Sequence, residues 1–200
     1  MKKKFIQLLV LLALWMFVLP YAFIKVAPAM RVLAVDAITA SLGMAFMKDS
    51  FKARPKIKTM FLCVIMCIVL LVGEYFITGM LFSHFGIGQT TNDAHLNQVS
   101  QTGPIAYILA ACVAAPMVEE IIFRGFIFEM INELCARKHI GATPAYIVSA
   151  GLFAVMHAPS NWVMAVPYFL SGLIFAIAYD HGSIHSSILV HIINNSLAIF

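Results

Sequence analysis

The chain has 200 residues, of which 62% are hydrophobic and only 11% charged, with a formal net charge of +4. Soluble domains carry roughly 25% charged residues, so this composition cannot furnish a polar surface, and a water-soluble globular fold is excluded. The length fits one helical bundle in a membrane, and nothing in the charge pattern points to nucleic acid.

A spanning helix needs about 20 predominantly apolar residues. Residues 5–24, 28–47 and 59–82 meet that requirement, and 104–131 exceeds it. Shorter apolar runs follow at 143–157, 162–179 and 183–200. These seven segments predict an all-α polytopic bundle with six to seven transmembrane helices. The period-2 alternation of a membrane barrel is absent. Met1-Lys2-Lys3-Lys4 before an apolar run has the shape of a signal peptide, but the small residues around 34–37 lie too far from the basic end for cleavage. An uncleaved anchor is expected. Residues 1–103 then form N-terminal helices and a polar loop, and 104–200 a C-terminal helical core, within one integrated membrane domain.

Basic residues orient the chain. The lysines at positions 2–4, the basic stretch 48–58, and Arg137 with Lys138 fall on one side; the Gly-, Gln-, Asn- and Thr-containing stretch 83–103 has neither lysine nor arginine. A cytoplasmic N-terminus and an external loop at 83–103 are expected, with Lys25 and Arg31 against the trend. Cys63, Cys67, Cys112 and Cys135 lie in or beside apolar segments and read as packing residues rather than disulfide partners or a metal pair.

Ionisable groups at bilayer depth cost roughly 2.5–3.5 kcal/mol each on insertion scales, so their placement is informative. Asp36 and Glu74 are isolated in the first half and receive no role. From residue 119 onward Glu119, Glu120, Arg124, His157, His191, Asn194 and Asn195 all fall in apolar surroundings. Glu120 and Arg124, at i and i+4, share a helix face and can pair. Glu119 is turned about 100° away and is free to face a cavity. Pro116, just before the pair, interrupts the backbone ladder. His157 stands where Ala158-Pro159-Ser160-Asn161 reads as a helix stop. His191 and Asn195 again share a face, and Asn194 points elsewhere. Asp180, His181 and His185 read as solvated side chains at a turn, and His84 and His95 as loop residues.

A carboxylate, two histidines and an amide converging in one cavity are the parts of a hydrolytic site. Glu119 and His157 can share a water and remove its proton as it attacks a carbonyl. His191 and Asn195 can donate to the developing oxyanion. Arg124 offsets buried negative charge and holds Glu120. The bland alternative is a structural ion pair in a membrane protein that only binds: a bacteriocin-immunity factor or a transporter accessory. No Gly-x-Ser-x-Gly elbow or His-Glu-x-x-His is present.

Four motifs in order resemble the membrane-embedded CAAX proteases and bacteriocin-processing enzymes, the CPBP or Abi family: Glu119-Glu120-x-x-x-Arg124, Phe153-x-x-x-His157, Phe169-x-x-Gly172 and His191-x-x-x-Asn195. The resemblance covers about residues 104–200. It implies an intramembrane endopeptidase with a catalytic set of Glu119, Glu120, Arg124, His157, His191 and Asn195. Within that set, Glu119 and His157 would activate water, and His191 and Asn195 would form the oxyanion hole. Members are often described as metalloproteases; here a metal-free mechanism is expected, and a zinc would take Glu119, His157 and His191. The implied partners are a peptide or membrane-protein substrate and the lipid bilayer. The expected location is a bacterial plasma membrane.

Overall fold

The computed structural model describes residues 1–52, 57–88, 104–157 and 162–199. Arg54 and Lys56 of the basic stretch, residues 89–103 of the polar loop with His95, the expected turn at 158–161 and Phe200 lie outside them. Among the described residues every regular element is a helix. They are α1 (Lys2–Ala22), α2 (Pro28–Phe46), α3 (Lys48–Lys52), α4 (Ile57–Phe85), α5 (Pro104–Arg137), α6 (Thr143–Met156), α7 (Trp162–His181) and α8 (Ile184–Ile199). Helices α1, α2, α4, α5 and α7 are long and apolar enough to cross a membrane, while α6 and α8 have 14 and 16 residues. The chain is an all-α polytopic membrane protein.

Helix α5 continues past the apolar run that ends at residue 131, because Glu129–Arg137 is rich in good helix formers. Lys4 at the start of α1 pairs with Glu129 and Glu133 on this extension. A cavity of about 270 Å³ opens beside the pair, lined by Lys4, Gln7, Asp49, Ser50 and Glu129 among others. The N-terminus, α3 and the end of α5 therefore meet at one end of the bundle.

Two helices widen into π turns just ahead of a proline: Leu14–Val18 before Pro20 and Ala110–Ala114 before Pro116. A proline offers no N–H and its ring crowds the carbonyl four residues back, so the ladder there relaxes to the wider spacing. A third π stretch, Ile121–Phe128, contains no proline. There Ser149 Oγ of α6 donates to the Phe123 carbonyl at 2.9 Å, the kind of side-chain insertion that opens a helical ladder. Glu119 and Glu120 sit on the short α-helical piece between the last two π stretches.

Small residues set the packing. A Cβ on Gly172 of α7 would lie 3.0 Å from the Ala150 Cα of α6, and one on Gly43 of α2 would lie 2.7 Å from Ile121 of α5. Cys63, Cys67 and Leu71 form the buried stripe of α4. The two thiols reach the Ala178 and Ile174 carbonyls of α7 at 3.8 and 3.9 Å. All four cysteines are free. Val118, Ile122, Phe126, Phe153 and Phe175 fill the centre of the bundle.

Candidate active site

The i, i+4 spacing of Glu120 and Arg124 produces the pair it predicts. Arg124 Nη1 donates to Glu120 Oε1 at 2.9 Å, with both side chains fully buried. Arg124 Nη2 donates to the Gly172 carbonyl at 2.7 Å. Its guanidinium also faces the rings of Phe153, Phe175 and Phe123 at 4.9, 5.3 and 5.9 Å, where the π electrons attract a cation. The third motif thereby acquires a physical meaning. Gly172 lets α7 approach α6 closely enough for its carbonyl to accept from Arg124.

Helix α8 reaches Glu120 from the other side. His191 Nδ1 is 2.8 Å from Glu120 Oε1, and Ser187, one turn earlier, donates from Oγ to Glu120 Oε2. That hydroxyl also lies 2.9 Å from the Phe175 carbonyl, and its single hydrogen serves one acceptor at a time. Beside Arg124, Glu120 is a carboxylate and only accepts, so His191 must donate from Nδ1. In the neutral ring Nε2 then carries the lone pair. The imidazole stacks on Phe175 with centroids 4.2 Å apart, which fixes the direction in which Nε2 points.

Nε2 points at Glu119, whose Oε2 is 3.6 Å away. The Glu119 side chain is 14% exposed, yet its Oε2 is buried without a hydrogen-bond partner. A gap of this size exceeds a direct hydrogen bond and is one that a water molecule can bridge. Two acceptors, a carboxylate oxygen and an imidazole nitrogen, thus converge on one point.

His157 follows the last residue of α6. Its Nδ1 lies 2.9 Å from the Phe153 carbonyl, which can only accept, so this ring too donates from Nδ1. Tyr168 of α7 stacks on it with centroids 4.4 Å apart. The Phe153 ring touches both imidazoles, at 4.5 Å from His157 and 5.7 Å from His191. Asn195 Nδ2 donates to the Ala111 carbonyl at 2.9 Å, inside the first π stretch of α5, and Asn194 donates to Asn195 Oδ1 at 3.3 Å. One Asn195 amide hydrogen is engaged and a second remains.

Glu119, Glu120, Arg124 and His191 therefore join in one network. His157 is linked to it through Phe153, and Asn195 anchors to the neighbouring turn. Sequence reasoning passed over Ser187 and Tyr168. The signal for Ser187 was available, since it precedes His191 by four residues on the same face; the stacking of Tyr168 on His157 depends on how α6 meets α7. Asp180 accepts from the Tyr146 hydroxyl at 2.6 Å, and His185 rests edge-on against Phe51. Among the described residues no three His, Cys, Asp or Glu side chains are grouped as ligands of a metal ion. Of the three expected zinc ligands, Glu119 Oε2 and His191 Nε2 lie 3.6 Å apart, and His157 is not grouped with them.

Residues 101–197 match the family model of type II CAAX prenyl endopeptidases, Rce1-like. All four motifs, at residues 119–195, fall within this range. The chain is also similar to two proteins of Lactococcus lactis subsp. lactis. UPF0177 protein YvdC is 29% identical over 107 residues, covering 53% of this chain and 39% of that protein. UPF0177 protein YxdF is 27% identical over 128 residues, covering 59% of this chain and 66% of that protein. In each case the chain spans less than two thirds of the relative's length. No solved structure matches the chain.

Proposed function

We propose, from the match of residues 101–197 to the Rce1-like CAAX-endopeptidase family model, that this protein is an intramembrane endopeptidase in which Glu119 activates water. The observation that carries the reading is the buried Glu119 Oε2 facing His191 Nε2 across 3.6 Å. Glu120, next to it, is by contrast fully engaged by Arg124, His191 and Ser187.

In this mechanism a water held between Glu119 and His191 attacks the peptide carbonyl, and Glu119 takes its proton. Glu120 keeps His191 in the Nδ1–H tautomer, and Arg124 balances the charge of Glu120. The remaining amide hydrogen of Asn195 donates to the oxyanion. Glu119 then passes the water's proton to the departing amine as the C–N bond breaks, and His157, also an Nδ1 donor, acts with its basic Nε2 as a second acceptor at the attacking water. The tautomer inferred for His191 moves it from oxyanion donor towards water holder, a shift from the roles that the family resemblance implies.

We read the chemistry as metal-free. A zinc enzyme would lose turnover on chelation and contain stoichiometric metal on analysis, whereas this mechanism loses nothing. The proposed substrates are bacterial: a leader peptide, a bacteriocin-like peptide or a membrane-protein tail, in processing or self-immunity. The proposed setting is the plasma membrane with the N-terminus in the cytoplasm. Glu119→Ala and His157→Ala are each expected to abolish cleavage of a matched peptide in proteoliposomes while the protein stays folded. Full activity in both variants would sink the protease reading and leave a non-catalytic immunity or accessory protein.

A further inference from the structure

Pro116 is buried in α5, just ahead of Glu119 and Glu120. In the π stretch before it, the Ala115 N–H donates to the Ala110 carbonyl, five residues back. The next carbonyl, that of Ala111, needs the N–H of residue 116 in this register, and a proline has none. Ala111 therefore carries a carbonyl without a backbone donor inside a membrane helix, where a polar group of a neighbouring helix has to satisfy it. Helix α8 supplies that group: Asn195 Nδ2 donates to the Ala111 carbonyl at 2.9 Å. Asn194 Nδ2 in turn donates to Asn195 Oδ1 at 3.3 Å. Both ends of the Asn195 amide are thus held, and its plane is fixed.

Satisfying one orphaned carbonyl takes a single hydrogen, which a serine or threonine on α8 would provide. An asparagine carries two on one nitrogen, and with the amide plane fixed the first bond decides where the second hydrogen points. We propose that Pro116 is a positioning residue for Asn195: the N–H it withholds leaves the Ala111 carbonyl to Nδ2, and this bond turns the second amide hydrogen towards the reacting carbonyl of the substrate. Asn195 lies one turn beyond His191 on α8, so the same bond seats the end of α8 against the turn of α5 that precedes the two glutamates. The inference rests on Asn195 serving the oxyanion. It gives the proline of the first motif's helix a task in the last motif.

The test uses the full chain in proteoliposomes. Pro116→Ala returns the missing donor. The Ala111 carbonyl then receives an N–H from residue 116 in the π register, or from Ala115 if the turn closes to an α-helix, and is drawn along the helix axis away from Asn195. This variant is expected to lower kcat by roughly tenfold or more with KM within about twofold, as when an oxyanion donor is displaced. Its unfolding midpoint should stay level or rise, because alanine is the better helix former. In an Asn195→Ala background the same substitution is expected to change kcat by less than about twofold, a double-mutant cycle that a bend serving another purpose would fail. Independently of turnover, the side-chain amide resonance of Asn195 in asparagine-labelled protein, identified by its loss in Asn195→Ala, is expected to move in Pro116→Ala. Unchanged kcat in Pro116→Ala overturns the proposal, as does an equal loss with and without Asn195, or an unmoved resonance. If Pro116→Ala does not fold, Pro116→Gly returns the same N–H and carries the same expectations for kcat and the resonance. Full turnover in Asn195→Ala, or none in the parent, is instead a failure of the oxyanion assignment or of the protease reading, and the amide resonance then decides alone whether Pro116 holds Asn195.

Discussion

The two halves of the bundle differ in what they bury. In the best apolar window of α1 only 11% of residues are buried inside the protein, and in that of α4 22%, against 56% for α5. Lipid is as apolar as leucine, so exposing Tyr75, Phe76 or Met80 on α4 costs nothing in a bilayer. Helix association there depends on close packing and interhelical hydrogen bonds. The C-terminal half has both: the Gly172–Ala150 approach and the Arg124–Glu120–Ser187–His191 network. Polar side chains accumulate where burial is deepest because only there can each find its partners.

The contrast breaks most readily at the ion pair. Arg124→Ala leaves Glu120 charged and buried and is expected to cost about 3–5 kcal/mol, seen as loss of folded, monodisperse protein in detergent unfolding. Tyr75→Ala on the lipid-facing side of α4 should stay within about 0.5 kcal/mol of the parent in the same measurement. Glu119→Gln separates chemistry from stability. Turnover should fall by roughly 10²–10⁴-fold, the usual range for a lost general base, with the unfolding midpoint unchanged. A parallel drop in stability would instead mark Glu119 as one more structural member of the network.

Smaller effects sharpen the comparison. Gly172→Ala overpacks α6 against α7 and displaces the carbonyl that Arg124 uses; a loss of about 1–3 kcal/mol is expected, with a lower unfolding midpoint. Ser187→Ala removes one donor from a buried carboxylate and should cost about 1–3 kcal/mol. Lys4→Ala, at the exposed end where α1 meets α5, should cost no more than about 1 kcal/mol, and that cost should shrink further at high salt.

Much of this is legible in the sequence alone. The apolar runs located the helices to within a few residues, because bilayer thickness imposes a length that composition reveals. The i, i+4 spacings placed Glu120 with Arg124, and His191 on one face with Asn195. The extension of α5 to Arg137 was not legible from hydropathy, since a polar helical extension carries no apolar signal. The π stretches were hinted at by Pro20 and Pro116, but the one at Ile121–Phe128 depends on Ser149 from another helix. Asp36 read as an isolated acid because its hydrogen-bond donor, Trp15, lies on another helix.

Composition and spacing alone establish the solvent, the all-helical class and the set of side chains too costly to bury without a use. Periodicity and hydropathy are local, and the bilayer acts on each segment separately. Only the tertiary structure decided how those side chains divide their work. His191 stands between the two glutamates, Glu120 is saturated, and Glu119 keeps an unpartnered oxygen. Such assignments depend on which nitrogen faces which oxygen across helices far apart in the chain, and no spacing along one helix carries that information.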